Sequence, residues 1–315
     1  MSKANKVLVT GATGFLGANL TKKLVGGGYD VHILIRSTSN KWRLLDIKHK
    51  IKEHMADLTN FGELRKVVRQ IKPDIIFHLA ATGIHGGKHL PDRDLINVNF
   101  IGTFNLVNAC NDIDYRCFVN TGSSSEYGPK KDRMRCDDIC EPVNTYGIAK
   151  LAATLYTKKV AKEKNKPIMT LRLFSPYGAY DDPSRLVTHV ITKSLRNEDL
   201  HLANPEAVRD YIYVEDVIDL YLKTIDNAKK YCGEIFNAGT GKQTKISDIV
   251  EIVTELTKSK SKIFWNSVKP RSYDTEKWEA EIEKTCKAFN WMPRFSIKQG
   301  LMETVSWFRD NIDLY

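Results

Sequence analysis

Long hydrophobic runs are missing from this sequence of 315 residues. No apolar stretch approaches the roughly 18 residues that a membrane-spanning helix needs, so no contact with a membrane is expected. The first six residues are polar and are followed by a short apolar run, Val7–Val9, which fits neither a signal peptide nor a transit peptide. These absences predict a globular protein of the cytoplasm.

Cysteine is scarce and scattered. Of the six cysteines, only Cys136 and Cys140 form a close pair, and no second pair stands at the spacing of a zinc site. A metal site is therefore not expected, and the cysteines are interpreted as free thiols in a reducing compartment. Internal repeats, linkers and low-complexity tracts are also lacking.

Acidic residues are outnumbered. The chain has 48 Lys and Arg against 38 Asp and Glu, which gives a net charge of +10. This positive charge could aid solubility, or it could attract an anionic small molecule or nucleic acid. Because the lysines are spread along the chain and no zinc finger, RNA-binding sheet motif or helix-turn-helix is found, nucleic acid is not an expected partner.

A glycine-rich turn follows the first predicted strand. The apolar run Val7–Thr10 leads into Gly11-Ala-Thr-Gly14-Phe-Leu-Gly17, and residues 18–25 have helical spacing. Strand, glycine turn and helix in this order are the context of a dinucleotide fingerprint, since glycines let the backbone approach a pyrophosphate at a helix N-terminus. The spacing is G-x2-G-x2-G, which differs from the general G-x-G-x2-G form.

An acid is also missing where an NAD enzyme usually carries one. The second predicted strand, residues 30–35, ends in Arg36-Ser37-Thr38-Ser39, about 20 positions after the glycine turn. An acid at this point binds the ribose 2′-hydroxyl of NAD, whereas arginine and hydroxyl groups suit the 2′-phosphate of NADP. Arg36 and Ser37 therefore predict NADP(H) as the cofactor in preference to NAD.

Strands and helices alternate through the first half of the chain. Predicted strands 51–55, 75–79, 116–121 and 167–174 are separated by helical segments, a rhythm that predicts an α/β fold with a parallel sheet. After residue 174 the rhythm loosens into short helices and strands. This change predicts a second, smaller lobe.

Tyr146 and Lys150 stand four residues apart at the start of a long predicted helix, residues 144–163. This spacing places both side chains on one helix face. An ammonium group beside a phenol stabilises the phenolate, so the pKa of Tyr146 is expected to fall from about 10 towards working pH. Tyr146 is therefore a candidate general acid or base.

These features occur in an order that resembles the extended short-chain dehydrogenase/reductase family, whose members include nucleotide-sugar epimerases, dehydratases and ketoreductases. The similarity covers nearly the whole chain. Its markers are Gly11-x2-Gly14-x2-Gly17, Asp57-Leu58, His78-Leu79-Ala80-Ala81, Asn99 with Gly102-Thr103, Ser123 before Tyr127-Gly128, Tyr146-x3-Lys150, Arg209-Asp210 before Val214-x-Asp216, and Asn237-x-Gly239.

The resemblance implies a Rossmann doubly wound parallel sheet of about seven strands with a smaller C-terminal α/β substrate lobe. The implied division assigns residues 1–174 and 211–239 to the NADP-binding domain, and residues 175–210 and 240–315 to the lobe. It also implies a homodimer formed through helices 94–110 and 144–163.

The resemblance further implies a catalytic set of Ser123, Tyr146 and Lys150, with Asn99 at the family's proton-relay or structural position. The cofactor contacts that it implies are Gly11, Thr13, Gly14, Phe15, Leu16, Gly17, Arg36, Ser37, Asp57, Leu58, Leu79, Ala80, Ala81, Asn99, Tyr146 and Lys150. Contacts with a nucleotide-sugar substrate are predicted at Thr82, Ser124, Ser125, Ser175, Arg185, Arg209 and Arg271.

Three reactions share this scaffold. A 4,6-dehydratase carries Asp-Glu after its catalytic threonine, and Ser124-Ser125 stand there instead, with Glu126 one position late. An epimerase keeps NAD bound, whereas a reductase exchanges NADPH in every turnover, which suits Arg36. The segments Leu173–Gly178, Ser184–Val187 and Arg209–Val214 are similar to CDP-abequose and CDP-paratose synthases of deoxysugar and polysaccharide biosynthesis.

The expected reaction is therefore NADPH-dependent reduction of the 4-keto group of a nucleotide-linked 4-keto-6-deoxy (or 3,6-dideoxy) hexose. A nucleotide-sugar 4-epimerase is the alternative. A 4,6-dehydratase and a non-catalytic NADP-binding sensor are weaker alternatives, since an intact Ser123–Tyr146–Lys150 set argues for catalysis.

Overall fold

A computed structural model describes residues 5–83, 90–268 and 276–315 of the chain. Within these residues the strands are β1 (Lys6–Thr10), β2 (Asp30–Ile35), β3 (Ile51–Met55), β4 (Ile75–His78), β5 (Cys117–Ser123), β6 (Ile168–Leu173), β7 (Ser175–Tyr177), β8 (Leu200–His201), β9 (Val208–Arg209), β10 (Tyr211–Tyr213), β11 (Ile235–Ala238), β12 (Thr244–Lys245) and β13 (Ile263–Phe264).

The helices are α1 (Phe15–Gly26), α2 (Phe61–Ile71), α3 (Asp92–Ile96), α4 (Gly102–Cys110), α5 (Thr145–Lys164), α6 (Leu186–Leu195), α7 (Val214–Thr224), α8 (Ile246–Thr257), α9 (Glu283–Phe289) and α10 (Ile297–Asp310). Short 3-10 segments cover Trp42–Lys50, Ser124–Glu126 and Ile312–Leu314. None of the helices in the described parts of the chain is both long and apolar enough to cross a bilayer.

Seven strands form one sheet in the order β11-β6-β5-β4-β1-β2-β3. The pairs β1–β2, β1–β4, β2–β3 and β4–β5 are parallel, with Thr10 opposite Leu34 on one side and His78 on the other. The strand order reverses between β1 and β4, which is the topological switch point of a Rossmann fold. The predicted fold class is confirmed.

The chain divides into two compact units, of which the first comprises residues 1–126, 142–172 and 218–236. Its central strands β1 and β4 are buried on both faces, in keeping with their nearly continuous apolar runs. A core cluster packs the sheet against α2 and α4 through Leu8, Leu34, Leu64, Val68, Ile76, Leu106, Val107 and Phe118.

The second unit comprises residues 127–141, 173–217 and 237–315. Small two-stranded sheets pair β10 with β7, β12 with β9, and β13 with β8. Helices α6, α8 and α10 contribute to an apolar cluster that contains Tyr177, Val187, Val190, Ile191, Leu200, Ile249, Val253, Leu301 and Phe308.

The helix predicted over residues 94–110 is interrupted. A π-helical turn, Asn97–Ile101, separates α3 from α4. At its centre the fully buried amide of Asn99 accepts a hydrogen bond from Thr82 N (3.0 Å) and donates to Thr82 O (2.8 Å) and Leu95 O (2.9 Å). Turns of this kind often occur at functional sites, and this one anchors the loop that follows β4.

Candidate active site

The glycine turn between β1 and α1 is closely packed. Gly11 has φ +71°, and a Cβ there would lie 2.6 Å from Ala80 N. A Cβ on Gly17 would lie 2.0 Å from Gly11 O, so the helix approaches the turn as closely as only glycine permits. Helix α1 begins after Gly14 without a side-chain cap or an acid in its first turn. This N-terminus suits an anion such as a pyrophosphate.

Residues from β1 and β4 meet beside this turn at the switch point. His78 is buried and hydrogen-bonds Thr10 Oγ1 (2.7 Å) with one ring nitrogen and Thr103 Oγ1 (2.9 Å) with the other. Burial, with the charge of Lys150 adding to it, lowers the pKa of His78 to about 3. A neutral His78 therefore fixes the end of β4, from which the predicted contacts Leu79, Ala80, Ala81 and Thr82 follow.

The end of β2 carries exposed cationic and hydroxyl groups. Arg36 and Ser37 are exposed, and Ser39 Oγ accepts from Arg36 N (2.9 Å). Burial raises the pKa of Asp57, but hydrogen bonds from Thr59 and the charge of Arg36 outweigh this, so the net pKa is lowered. Arg36 and Asp57, both predicted cofactor contacts, therefore interact electrostatically.

Arg43 also lies at this edge. Its Nη1 donates to Thr13 O in the glycine turn (3.4 Å), and its guanidinium lies 4.4 Å from the centre of the Trp42 ring. Arg43 follows Arg36 by seven positions and is not among the predicted cofactor contacts. The structure brings it to the predicted cofactor turn.

Helix α5 is held against the turn that contains Ser123. Asn144 caps the helix by accepting from Gly147 N (2.8 Å). A Cβ on Gly147 would lie 2.5 Å from Ser125 O, so only glycine allows this approach. Tyr146 precedes Gly147 on this helix. Its ring lies beside Gly83, since a Cβ built on Gly83 would be 3.8 Å from the ring.

Lys150 lies one helical turn after Tyr146 and is buried, with 2% of its surface exposed. Its ammonium donates to Thr121 O, near the end of β5 and two residues before Ser123. Burial lowers the pKa of Lys150 to about 8, and the negative charge of Glu126 opposes part of that fall. Lys150 therefore stays mostly protonated at pH 7. It shares helix α5 with Tyr146, and it binds the strand that ends in Ser123.

The hydroxyl of Ser123 and its neighbours form a tight turn. Ser125 N donates to Ser123 Oγ (3.1 Å), while Ser124 is 5% exposed. Thr82 is a predicted substrate contact, and its backbone N–H and C=O form hydrogen bonds with the side-chain amide of Asn99. These residues lie in the first unit together with the predicted catalytic residues Ser123, Tyr146 and Lys150.

The second unit contains a cavity of about 110 Å³ lined by Ser175, Pro176, Tyr177, Asp181, Arg185, Leu186, Val187, Arg209 and Tyr211. It brings together three of the predicted substrate contacts, Ser175, Arg185 and Arg209. The guanidinium of Arg185 donates to Pro176 O (2.7 Å), and that of Arg209 lies 5.1 Å from the Trp278 ring centre. Arg271, a fourth predicted contact, lies outside the described residues.

A structural alternative for Arg209 is an ion pair with Asp210 or Asp216. Asp210 accepts from Thr240 N, Gly241 N and Ala280 N at 2.7–3.1 Å. Asp216 accepts from the backbone N–H groups of residues 294 and 295. Both acids therefore have a structural task of their own.

Two buried acids, Asp181 and Glu126, were not predicted as site residues from the sequence. Asp181 lies in the cavity, 1% exposed and 3.4 Å from Arg185 Nε; the i, i+4 spacing to Arg185 was the available signal. Glu126 is fully buried and paired with Arg172 at 2.7 Å. No spacing marks that pair, since 46 residues separate its members. Within the described ranges, no group of three His, Cys, Asp or Glu side chains could hold a metal ion.

Known proteins share this whole architecture. A UDP-glucuronate 4-epimerase of Thermodesulfobacterium geofontis is 28% identical over 325 residues, covering 98% of this chain and 97% of its own. The crystal structure of a UDP-glucose 4-epimerase with UDP-glucose, from Thermotoga maritima, has a TM-score of 0.88 at 26% identity, covering 98% and 99% of the two chains.

A second solved structure is the UDP-glucuronic acid 4-epimerase of Bacillus cereus in complex with UDP-glucuronic acid and NAD. It has a TM-score of 0.87 at 25% identity, covering 98% of this chain and 100% of its own. The sequence model of the NAD dependent epimerase/dehydratase family matches residues 7–239. The family inferred from the motifs is confirmed: the chain belongs to the NAD dependent epimerase/dehydratase family, among the extended short-chain dehydrogenases/reductases.

Proposed function

We propose that the chain is an enzyme that transfers hydride at C4 of the hexose of a nucleotide sugar, with a nicotinamide dinucleotide as cofactor. The observation that carries the proposal is the buried Lys150, which lies one helical turn after Tyr146 and donates to Thr121 O, two residues before Ser123. The UDP-sugar 4-epimerases that the chain resembles support the substrate class.

The first unit fits a dinucleotide. The turn of Gly11, Gly14 and Gly17 would hold the pyrophosphate at the N-terminus of α1, where the backbone comes close and no acid repels it. Asp57 and Leu58 would contact the adenine, and Lys150 would bind the nicotinamide ribose. When bound, the nicotinamide supplies the acceptor or donor of hydride.

The protein groups handle the proton. The charge of Lys150 favours the phenolate of Tyr146, which would take the proton from the sugar O4 during oxidation and return it during reduction. The hydroxyl of Ser123 would donate a hydrogen bond to the same oxygen as its charge changes. Asn99 is engaged on backbone groups of residues 82 and 95, which favours a structural role for it over a proton relay.

The cavity of the second unit is proposed to hold the nucleotide diphosphate. Guanidinium groups suit this task because they donate two parallel hydrogen bonds to phosphate oxygens. Arg185 and Arg209 both line the cavity, with Ser175 beside them. Ser124, Ser125 and Thr82 are proposed to contact the sugar, and Arg271 is proposed as a further phosphate contact.

A 4-epimerase is the reaction that the relatives favour over the 4-ketoreductase predicted from the sequence. The Bacillus cereus relative binds NAD in its complex, and the matching family is that of NAD dependent epimerases/dehydratases, so NAD is also favoured over the predicted NADP(H). One observation favours the reductase as second candidate: Arg36, with Arg43 beside the glycine turn, presents cations where NAD enzymes carry an acid. Ser124 and Ser125 still argue against a 4,6-dehydratase.

Nucleotide release and turnover assays distinguish these reactions. An epimerase should be purified with NAD bound and should convert UDP-glucose to UDP-galactose without net consumption of cofactor. A reductase should oxidise NADPH in proportion to an added nucleotide-linked 4-keto-6-deoxyhexose. Absence of both activities with UDP, CDP, GDP and dTDP sugars would contradict the proposed function and leave the cofactor-binding sensor.

A cytoplasmic location and the absence of a nucleic-acid partner stay predictions.

Arg36→Asp tests the second candidate. If Arg36 binds a 2′-phosphate, the variant should weaken NADPH about 10- to 100-fold, since a hydrogen bond to a charged group contributes about 1.5–3 kcal/mol. Binding of NADH should improve, because the new carboxylate can accept from the ribose hydroxyl. Isothermal titration with both cofactors measures the ratio of the affinities for NADPH and NADH. Lys48→Asp makes the same charge change on an exposed residue and should leave the ratio unchanged. An unchanged affinity for NADPH in Arg36→Asp would mean that Arg36 does not bind the phosphate.

The proposed homodimer forms through the helices α3–α4 and α5 of the first unit. Large apolar side chains are exposed on these helices, with Ile96 41%, Phe104 40%, Ile148 52% and Leu155 55% exposed. Phe104 packs against Tyr156, whose hydroxyl receives a hydrogen bond from Asn108 (2.7 Å), so α4 and α5 present one surface. Exposed apolar surface of this kind is typical of an interface.

Leu155→Asp is expected to convert the dimer to a monomer, because a buried unpaired carboxylate at an interface is costly. Light scattering coupled to gel filtration measures the mass. Met302→Asp is the matched control, since Met302 is 50% exposed on α10 and lies outside the proposed interface. A wild-type monomer, or a Leu155→Asp dimer, would contradict this assignment.

A further inference from the structure

Glu126 is a buried carboxylate to which the proposed function gives no task. It ends the one-turn helix after β5 and is 0% exposed. Its Oε1 accepts a hydrogen bond from the backbone N–H of Ser123 at 2.8 Å. The carboxylate therefore fixes the backbone of the residue whose hydroxyl is proposed to contact the sugar.

The second oxygen of Glu126 meets a buried guanidinium. Arg172 Nε donates to Oε2 at 2.7 Å, and the side chain of Arg172 is 2% exposed. Gly122 leaves room for the pair, because a Cβ there would lie 2.7 Å from Glu126 Oε1 and 3.1 Å from Arg172 Cγ. Burying an ion pair costs desolvation energy that attraction only partly returns, so this pair is poor evidence of a stabilising role.

The same carboxylate acts electrostatically on Lys150 across the end of β5. Among the other charged or titratable groups of this region, Arg172 from β6 is paired with Glu126, burial keeps His78 from β4 neutral, and Tyr146 precedes Lys150 by one turn on α5. Tyr221 from α7 interacts with Tyr146, and burial raises its pKa, so it too is neutral. Glu126 is therefore the negative charge that acts on the Lys150 ammonium from the described part of its surroundings.

We propose that Glu126 is a positioning residue that anchors the Ser123 backbone with one carboxylate oxygen and supplies the buried negative charge that keeps Lys150 cationic. This inference rests on the proposed function, because it assigns Glu126 a task through the residues that handle the proton. Arg172 holds the carboxylate in the orientation that serves both.

Two variants separate the two tasks. Glu126→Gln keeps an acceptor for Ser123 N but removes the charge, so the pKa of Lys150 should fall by about one unit. Turnover should then fall about fivefold at pH 8 and change little at pH 6, where Lys150 stays protonated. Glu126→Asp keeps the charge but is one methylene shorter. It should leave the pKa of Lys150 within about half a unit and lower turnover at pH 6 about tenfold.

The pKa of Lys150 is measured without turnover, by following the Cε resonance of labelled lysine through a pH titration, with Lys150→Arg to assign the signal. Glu163→Gln is the control, because it removes an exposed carboxylate from α5, the helix of Lys150. It should change neither the pKa of Lys150 nor turnover. If Glu126→Gln does not fold, the double variant with Arg172→Gln removes both buried charges and should still lower the pKa of Lys150, but by less than the single variant, because the positive charge of Arg172 is lost as well.

The outcomes are distinguishable. An unchanged pKa of Lys150 in Glu126→Gln, or equal behaviour of the Gln and Asp variants, would overturn the inference. A wild-type protein that turns over no nucleotide sugar would overturn the proposed function, and the Lys150 titration would still decide whether Glu126 controls its charge.

Discussion

Replacing Tyr146 by phenylalanine is expected to lower turnover of the nucleotide sugar about 10³-fold while leaving cofactor binding nearly unchanged. Proton transfer by a positioned side chain contributes roughly 10²–10⁴-fold, and the variant removes only the hydroxyl that would carry the proton. The ring that packs beside Gly83 is retained, as are Lys150 and the glycine turn. Steady-state kinetics and titration with NAD and NADP measure the two effects.

Tyr156→Phe is the matched control. Tyr156 stands on the same helix, and its hydroxyl receives a hydrogen bond from Asn108, so the variant loses an oxygen of the same kind away from Lys150. Its turnover should stay within a factor of two or so of the wild-type value. Full activity of Tyr146→Phe would contradict the assigned proton transfer. Loss of cofactor binding together with turnover would show that the hydroxyl serves binding.

The parts of the site that depend on local sequence could be predicted. A strand, a glycine turn and a helix follow one another within 21 residues, so β1, Gly11–Gly17 and α1 were recognisable from spacing. Tyr146 and Lys150 share one helix, and the helical repeat relates them. Alternating strands and helices gave the parallel sheet, because such crossovers permit few topologies.

The parts that depend on tertiary contact could not be predicted. In the sequence, Glu126 stands one position late for a dehydratase acid. Its structural role could not be predicted, because its partner Arg172 comes 46 residues later. The π-helical turn around Asn99 follows from hydrogen bonds to Thr82 on another segment, which a helical repeat does not reveal. The choice of a 4-ketoreductase over a 4-epimerase rested on Arg36 and on the similarity of three segments to CDP-abequose and CDP-paratose synthases, and the relatives favour the epimerase.

Gly17→Ala is expected to destabilise the protein by at least about 3 kcal/mol and to abolish measurable cofactor binding. The added Cβ would lie 2.0 Å from Gly11 O and 2.8 Å from Ala12 Cα, and both neighbours are backbone atoms that cannot rotate away. Overpacking a well-packed site typically costs about 1–3 kcal/mol and more where the backbone must shift. Helix α1 must therefore move from the turn, which separates its N-terminus from the proposed pyrophosphate position.

Gly26→Ala separates this contact from the general effect of alanine on a helix. Gly26 ends the same helix, and a Cβ there would meet nothing within 4 Å. Because alanine favours a helix over glycine by up to about 1 kcal/mol, this variant should be slightly more stable than the wild type and should bind cofactor normally. Urea unfolding and cofactor titration of both variants give the comparison. If Gly17→Ala were as stable as Gly26→Ala, the close approach of α1 to Gly11 would be wrong, and with it the geometric reason for a dinucleotide at this turn.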